Sequence, residues 1–400
     1  MKKQLEQIAS ELQIDRSNWE LVTFGEVAIQ QKESVDRENT GLTRYVKGEH
    51  MYSDDLHLRK WGELKDEYLG PAFIRKFEEG DILYGSRRTY LRKVVIAPFE
   101  GITSNTTFVV KANENKIEKR LLPFVMKSEG FTAHSIQNSK GSVNPYVNWK
   151  DLANYEFLLP PKEQQAKLAE FLWAMDEVID KLSITYQKHL TLRESFREKQ
   201  LCAVEFPRKN IGEGLLGIIA GKSLNGTNTP ARTNEMGVLK VSAVGKKGFV
   251  CNENKILSKQ DEFIKKFAIA KGDVLITRAN TTELVGRVCL VDKDYSNLML
   301  SDKTLRLNLD SEKLNSIFVV EVLRGYEARR QIEAFATGTG GAMKNISQKE
   351  IEKIKIPYPD NSQQNRLALD VIKLEKTAMV INDNITNSKQ LQKSLINQVF

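Results

Sequence analysis

The sequence predicts a mixed fold, α/β (α+β), in which two globular domains are each followed by a long helix. Three observations carry that prediction. The chain has 400 residues, more than one hydrophobic core usually holds. Its second half repeats landmarks of its first. Two long stretches, Gln164 to Leu201 and Gln363 to Phe400, contain no Pro or Gly and carry an apolar repeat of helical period.

The repeat is read from segments that match at fixed offsets. Gly141 to Gln165 and Gly340 to Gln364 share Lys150/Lys349, Pro160/Pro359, Gln164/Gln363 and Gln165/Gln364, all 199 residues apart. Upstream, Gly80-Asp81-Ile82-Leu83 matches Gly272-Asp273-Val274-Leu275 at 192, and Phe24-Gly25-Glu26 matches Ile211-Gly212-Glu213 at 187. The changing offset places the insertions in loops, where they are tolerated best.

In chain order, residues 1–160 hold a short amphipathic N-terminal helix, suggested by Leu5, Ile8 and Leu12, and the first globular domain. Residues 161–202 are the first long helix, 203–359 the second globular domain and 360–400 the second long helix. The domains mix short β-type runs, such as Lys93 to Ala97, Phe108 to Val110, Val238 to Val244 and Val288 to Val291, with Gly and Asn turns. In the first long helix Leu168, Leu172, Met175, Ile179, Leu182 and Tyr186 follow a 4-3 spacing, the seam of a coiled coil. Leu367, Val371, Leu374, Ala378, Ile381 and Ile385 repeat it, and the pattern resumes with Leu192 and Phe196 against Leu391 and Leu395. The same spacing also describes amphipathic helices lying on separate cores. Mutual packing is favoured because each helix spans roughly 55 Å, too long for one small domain to cover.

Composition narrows the function classes. The chain is 40% hydrophobic and 28% charged, with a formal net charge of +8, a balance that suits a polyanion partner without requiring one. Cys202, Cys251 and Cys289 are far apart and match neither a disulfide framework nor a zinc site. Met1 to Leu12 has no apolar run of the signal-peptide kind and no stretch is long enough for a bilayer, so a cytoplasmic protein without membrane contact is expected. His50, His57, His134 and His189 form no metal or triad spacing. Gly217 to Ser223 imitates a phosphate loop, but Leu216 stands where its first Gly is needed. Asn144-Pro145-Tyr146 lacks the second Pro of an amino-methyltransferase signature, and Gly338 to Gly341 misplaces the third Gly of a dinucleotide fingerprint. No catalytic residue, metal site or bound cofactor is therefore assigned.

The Leu159-Pro160-Pro161-Lys162-Glu163-Gln164-Gln165 entry into the first long helix, its weaker copy Ile356-Pro357-Tyr358-Pro359 before Gln363-Gln364, and the paired Gly-Asp-hydrophobic-Leu segments resemble the specificity subunits of type I restriction-modification systems. Lys271 to Gly286, Gly237 to Val244 and Ser301-Asp302-Lys303 are also similar to a second recognition domain of that family. The resemblance covers nearly the whole chain. It departs at Ser362, which stands where Glu163 does in the first copy. The resemblance implies two target recognition domains in a pseudo-two-fold arrangement, separated by two antiparallel coiled-coil helices with Leu168, Leu172, Met175, Ile179, Leu182, Leu367, Val371, Leu374, Ile381 and Ile385 in the seam. It implies a non-catalytic DNA reader of a bipartite double-stranded site. Its partners would be DNA methyltransferase subunits, which bring S-adenosylmethionine, and restriction subunits. Half-sites about one helical turn apart, roughly 34 to 36 Å, suit such a spacer.

Base edges in the major groove are read by Arg or Lys at guanine and Asn or Gln at adenine, with phosphate contacts for register. Candidates follow each Gly-Asp segment: Ser86, Arg87, Arg88, Tyr90 and Arg92 in the first domain, Thr277, Arg278, Asn280, Thr281 and Thr282 in the second. Aligning Ser86 to Val94 with Thr277 to Val285 shows how far the two readers have diverged. Lys140 and Lys344 lie in or beside Gly-rich loops suited to phosphate. A solvated surface turn explains any one of these residues equally well; their agreement between copies favours the set. Two rivals remain open: a same-fold reader of another restriction or phage-exclusion class, and a coiled-coil scaffold with no DNA role.

Overall fold

The computed structural model describes residues 16–36, 39–246, 248–338 and 343–400. The expected N-terminal helix through Leu5, Ile8 and Leu12 lies outside them. The chain divides into two compact units, one of residues 1–183 with 382–400, the other of residues 184–381. The division cuts both long helices, so each unit owns half of each.

In the first unit Glu20–Thr23 pairs antiparallel with Glu156–Leu159, tying the start of the domain to the strand that leads into the first long helix. A four-stranded antiparallel sheet follows in the order Ala28–Gln31, Thr107–Ala112, Ile82–Gly85, Val94–Ile96. A second sheet runs Gly62–Glu63, Arg44–Val46, Gly101–Ser104, Phe73–Phe77, with one parallel pairing at Tyr45 and Ile102. The second unit repeats this plan. Arg208–Asn210 pairs with Lys355–Pro357, and the main sheet runs Leu215–Ala220, Thr304–Leu309, Val274–Thr277, Val288–Leu290. Its smaller sheet again holds one parallel pairing, Gly237–Leu239 with Tyr295–Met299, and gains the short strand Gly226–Thr227. The β-run expected from Val238 to Val244 stops early: a 3-10 turn at Val241–Ala243 turns the chain away. The phosphate-loop look-alike is half strand, since Leu215–Ala220 is an edge of the main sheet.

The repeated sequence landmarks are repeated turn devices. Gly80 and Gly272 have φ of +87° and +88°, a region open to Gly without steric cost. Each following Asp accepts a backbone N–H three residues back, Glu78 to Asp81 and Ala270 to Asp273, both at 2.8 or 2.9 Å. Burial pushes both carboxyls above the usual Asp range. At Phe24-Gly25-Glu26 and Ile211-Gly212-Glu213 the acid accepts the backbone N–H of Thr23 and Asn210. The Gly lets a short helix press close, because a Cβ there would stand 3.1 Å from Ala153 Cβ and 3.0 Å from Glu352 Cβ.

The long helices are Lys162–Phe196, prolonged by a π-helical turn at Arg197–Leu201, and Asn361–Val399. Their seam residues do two jobs. Leu168, Leu172 and Met175 join the main core of the first unit together with Leu395, Ile396 and Val399, while Leu367 and Val371 join that of the second together with Phe196 and Leu201. Each buried side chain of this size contributes roughly 1.5–3 kcal/mol. Ile179 is buried; Leu182, Leu374, Ile381 and Ile385 are half-buried. Within each unit the helix segments run antiparallel. In the first, Gln392 reaches Leu172 and Asp176 while Leu168 shares its core with Val399. In the second, His189 hydrogen-bonds the Leu374 carbonyl while Leu201, further on, shares its core with Leu367. The resumed seam fails at one point: Leu192 is 55% exposed. Among the described residues no helix is long and apolar enough to cross a membrane.

Candidate nucleic-acid interface

Each main sheet ends in a polar ribbon. In the first unit the chain leaves Ile82–Gly85 and is clamped at once: Val147 N–H donates to the Ser86 carbonyl at 3.0 Å and Arg88 N–H to Pro145 at 2.6 Å. Arg87 bridges to Tyr146, which bridges in turn to Lys140. In the second unit Ile346 N–H donates to the Arg278 carbonyl at 2.9 Å, Ala279 and Asn280 pair with Asn345 and Lys344, and Asn345 bridges to Thr337. The two ribbons are the same object. Their shared hydrogen bonds set Ser86 level with Arg278, which continues the 192-residue offset of the Gly-Asp pairs and replaces the Ser86/Thr277 alignment, so Arg87 corresponds to Ala279 and Arg88 to Asn280.

The side chains sort into supports and free donors. Ser86 is buried and its hydroxyl donates to Thr106 at 2.6 Å. Thr277 is 1% exposed, donates to the Leu284 carbonyl and accepts from Arg287 N–H. Arg92 is held by Asp54 at 2.7 Å, Glu129 at 2.9 Å and the Lys127 carbonyl at 2.6 Å. These three expected DNA contacts are corrected to loop supports: Ser86 and Thr277 are buried with their hydroxyls bonded inside the loop, and Arg92 spends three of its five N–H donors on Asp54, Glu129 and Lys127. Arg87, by contrast, is exposed, as is Tyr90. Arg88 is exposed but aimed: its guanidinium donates to Asn144 Oδ1, at 2.8 Å from Nε. Arg88 and Arg92 have φ of +50° and +52°, left-handed conformations that cost a non-Gly residue roughly 1–2 kcal/mol. Such strain clusters at working loops.

In the second unit Arg278, Thr281 and Thr282 are exposed. Asn280 is half-buried, with its Oδ1 accepting from Thr281 N–H at 2.9 Å and its amide N–H groups without a partner among the described residues. Lys344 is half-buried and donates to the Gly338 carbonyl at 3.2 Å, which ties it to its own loop; residues 339–342 lie outside the described residues. Lys140 pairs with Asp151 at 3.4 Å yet stays 59% exposed. Sequence reasoning missed Lys303, exposed beside Arg278, whose N–H donates to the Lys303 carbonyl at 2.8 Å. It also missed Asn144 and Tyr146 as the frame of the first ribbon. A backbone pairing across the sheet links these residues, and no local sequence signal carries that.

Two copies of one sheet-and-helix domain, each presenting a braced polar ribbon with exposed basic side chains and each joined to a long helix, define a duplicated module. The family model described as the Type I restriction modification DNA specificity domain matches residues 16–190 and 219–388, and the chain belongs to that family. Among curated relatives it is 28% identical over 183 residues to the Type I restriction enzyme EcoEI specificity subunit of Escherichia coli, covering 46% of this chain and 31% of that protein. The EcoDI specificity subunit of Escherichia coli is 27% identical over 177 residues, 41% of this chain and 37% of that one. The matches thus span about a third of each relative's length. Among solved structures, the Type-I restriction-modification S subunit from M. genitalium has the same fold, with a TM-score of 0.61 at 13% identity over 98% of both chains. A chain from a structure of type I R-M complex assembly and conformational transition gives 0.58 at 18% identity over 96% of both.

Proposed function

We propose that this chain is the DNA-reading specificity subunit of a type I restriction-modification complex, each unit reading one half of a bipartite site in double-stranded DNA. The observation that carries the reading is the coincidence of two things: the family's DNA specificity domain matches twice, and each match contains one of the two equivalent ribbons. The chain itself does no chemistry in this reading. A partner methyltransferase subunit brings S-adenosylmethionine and methylates adenine where this chain docks it, restriction subunits join the same assembly, and the complex works in the cytoplasm. In the first half Arg87 and Arg88 present guanidinium donors of the kind that pair with guanine O6 and N7, with Tyr90 and Lys140 beside them. In the second, Asn280 has the bidentate amide suited to adenine, flanked by Arg278, Thr281, Thr282 and Lys344.

The test is a genome-wide map of methylated adenines in cells carrying this gene and its neighbouring methyltransferase gene, against cells lacking this gene alone. Disappearance of a split motif with a fixed gap is the expected result. An unchanged map with an active methyltransferase overturns the reading.

A further inference from the structure

Both long helices begin with the same buried amide, and its hydrogen bonds are reproduced almost atom for atom. Gln165 is 2% exposed; its Oε1 accepts the Glu118 N–H at 2.7 Å and its Nε2 donates to the carbonyls of Pro160 at 2.8 Å and Lys116 at 3.3 Å. Gln364 is fully buried; its Oε1 accepts the Asn315 N–H at 3.0 Å and its Nε2 donates to Pro359 at 2.9 Å and Lys313 at 3.0 Å. A second tie lies one turn earlier. Lys162 Nζ donates to the Glu114 carbonyl at 2.6 Å, and Asn361 Nδ2 donates to Glu312 at 2.8 Å and Ser311 at 3.2 Å. The two halves differ in most side chains around these points, yet the ties recur.

The chemistry explains why glutamine stands there. The site needs one acceptor and two donors on a side chain long enough to leave the helix and reach the loop: a carboxylate cannot donate, an ammonium cannot accept, and asparagine is one methylene short. An apolar residue would fill the space but would fix no angle, since only hydrogen bonds are directional. In the second unit the same loop residue, Asn315, caps the helix Ser316–Arg324 by accepting from Ile317 and Phe318 N–H, so the tie is carried straight into the domain.

We propose that Gln165 and Gln364 are positioning residues that fix the tilt of each recognition domain on the first turn of its long helix, and thereby set which gap between half-sites the protein accepts. The inference rests on the DNA-reading function above. The lever is short but sufficient. A domain of about 140 residues has a radius of gyration near 14 Å, so a tilt of about 15° moves a point at that radius by roughly 3.5 Å. That is close to the rise of one base pair, about 3.4 Å.

The experiment uses this chain assembled with its methyltransferase subunit, and duplexes carrying the mapped split motif with its natural gap or one base pair more or less. The variants are Gln165→Met and Gln364→Met, which keep the shape and lose the bonds, with Lys162→Met at an exposed position and Asn361→Ala at a half-buried one, both outside the hydrophobic cores. Methylation selectivity for the natural gap is expected to fall at least about tenfold for each Gln variant, the factor that even one net hydrogen bond of the three lost would supply, and about two- to threefold for the outer pair. Base preference inside each half-site stays as in wild type. Unchanged gap selectivity in folded variants, with only a lowered melting temperature, overturns the proposal and leaves a plain brace. Should the Gln variants not fold, unchanged selectivity in the outer pair overturns it equally. A wild-type complex that methylates no split motif overturns the DNA-reading function and this inference with it.

Discussion

At equivalent points on the long helices, 199 residues apart, Asp176 in the first unit and Glu375 in the second face different kinds of basic partner. Asp176 is 5% exposed, hydrogen-bonded to His57 at 2.8 Å and to Gln392 at 3.3 Å. Glu375 receives Arg193 at 2.6 Å, and Arg193 with Arg197 and Arg324 also holds Glu321, which is 2% exposed. One unit therefore anchors its domain to the helix through a titratable imidazole, the other through guanidinium groups that stay charged at any ordinary pH. The same helix pairing can be anchored by different chemistry, provided each buried acid is matched.

The largest effect is expected from removing Glu321. Burial alone would raise its carboxyl, but Arg197, Arg193 and Arg324 outweigh that and hold it below the usual range. Glu321→Ala leaves three part-buried guanidinium groups without their shared acid and is expected to cost about 3–5 kcal/mol. Hydrogen exchange should report the loss in residues 184–381 and spare the first unit. Equal loosening of both units would show that the anchors are not separate.

The reading ribbons give the next largest effect. Arg87→Ala and Arg88→Ala are each expected to cost about 1–3 kcal/mol of discrimination at one half-site and none at the other, while Asn280→Ala does the reverse. Binding to duplexes with each half scrambled in turn measures both. A loss spread evenly over all sequences would reassign the residue to phosphate contact.

The smallest effect is pH-dependent and confined to the first unit. The hydrogen bond that His57 donates to Asp176, together with the charges of Asp176, Asp180 and Asp55, raises the imidazole above its ordinary 6.5 in spite of burial. For Asp176, burial raises the carboxyl, but the His57 hydrogen bond and the Lys127 charge more than offset it, and the net direction is down from 3.8. A raised folded-state pKa on His57 means that its stabilisation is complete below 6.5 and disappears as pH rises through the folded value. Stabilisation from Asp176 is complete above 3.8 and disappears as pH falls through its lowered value. The first unit is accordingly expected to loosen slightly as pH rises from 6.5 through the raised folded-state value of His57, and His57→Gln to flatten that slope. Amide exchange at Leu56 to Leu58, followed against pH, checks it.

Much of this architecture was legible because it is local. Gly-Asp pairs mark a turn, Gly-Glu pairs mark a capped start, and a 4-3 repeat without Pro or Gly marks a long helix. Each works within a few residues, so the duplication of the sequence is also a duplication of turns, strands and helices. The supports of the ribbons were not legible. Ser86 and Arg87 are neighbours of similar polarity, yet one is buried against Thr106 and the other is exposed, and only the strand pairing decides which. Arg92 reads as a basic loop residue until Asp54 and Glu129, 38 and 37 positions away, are brought to it.

What the sequence determined alone was thus the two-fold repeat, the class of each domain, the long helices and the neighbourhood of the reading loops, since periodicity and turn chemistry are short-range. What the tertiary structure decided was which donors face outward, which of the two possible alignments of the ribbons holds, and the use of the helix seams. Those seams end in domain cores because an apolar stripe is buried by whichever surface meets it, and the helix pattern cannot distinguish a neighbouring helix from a sheet.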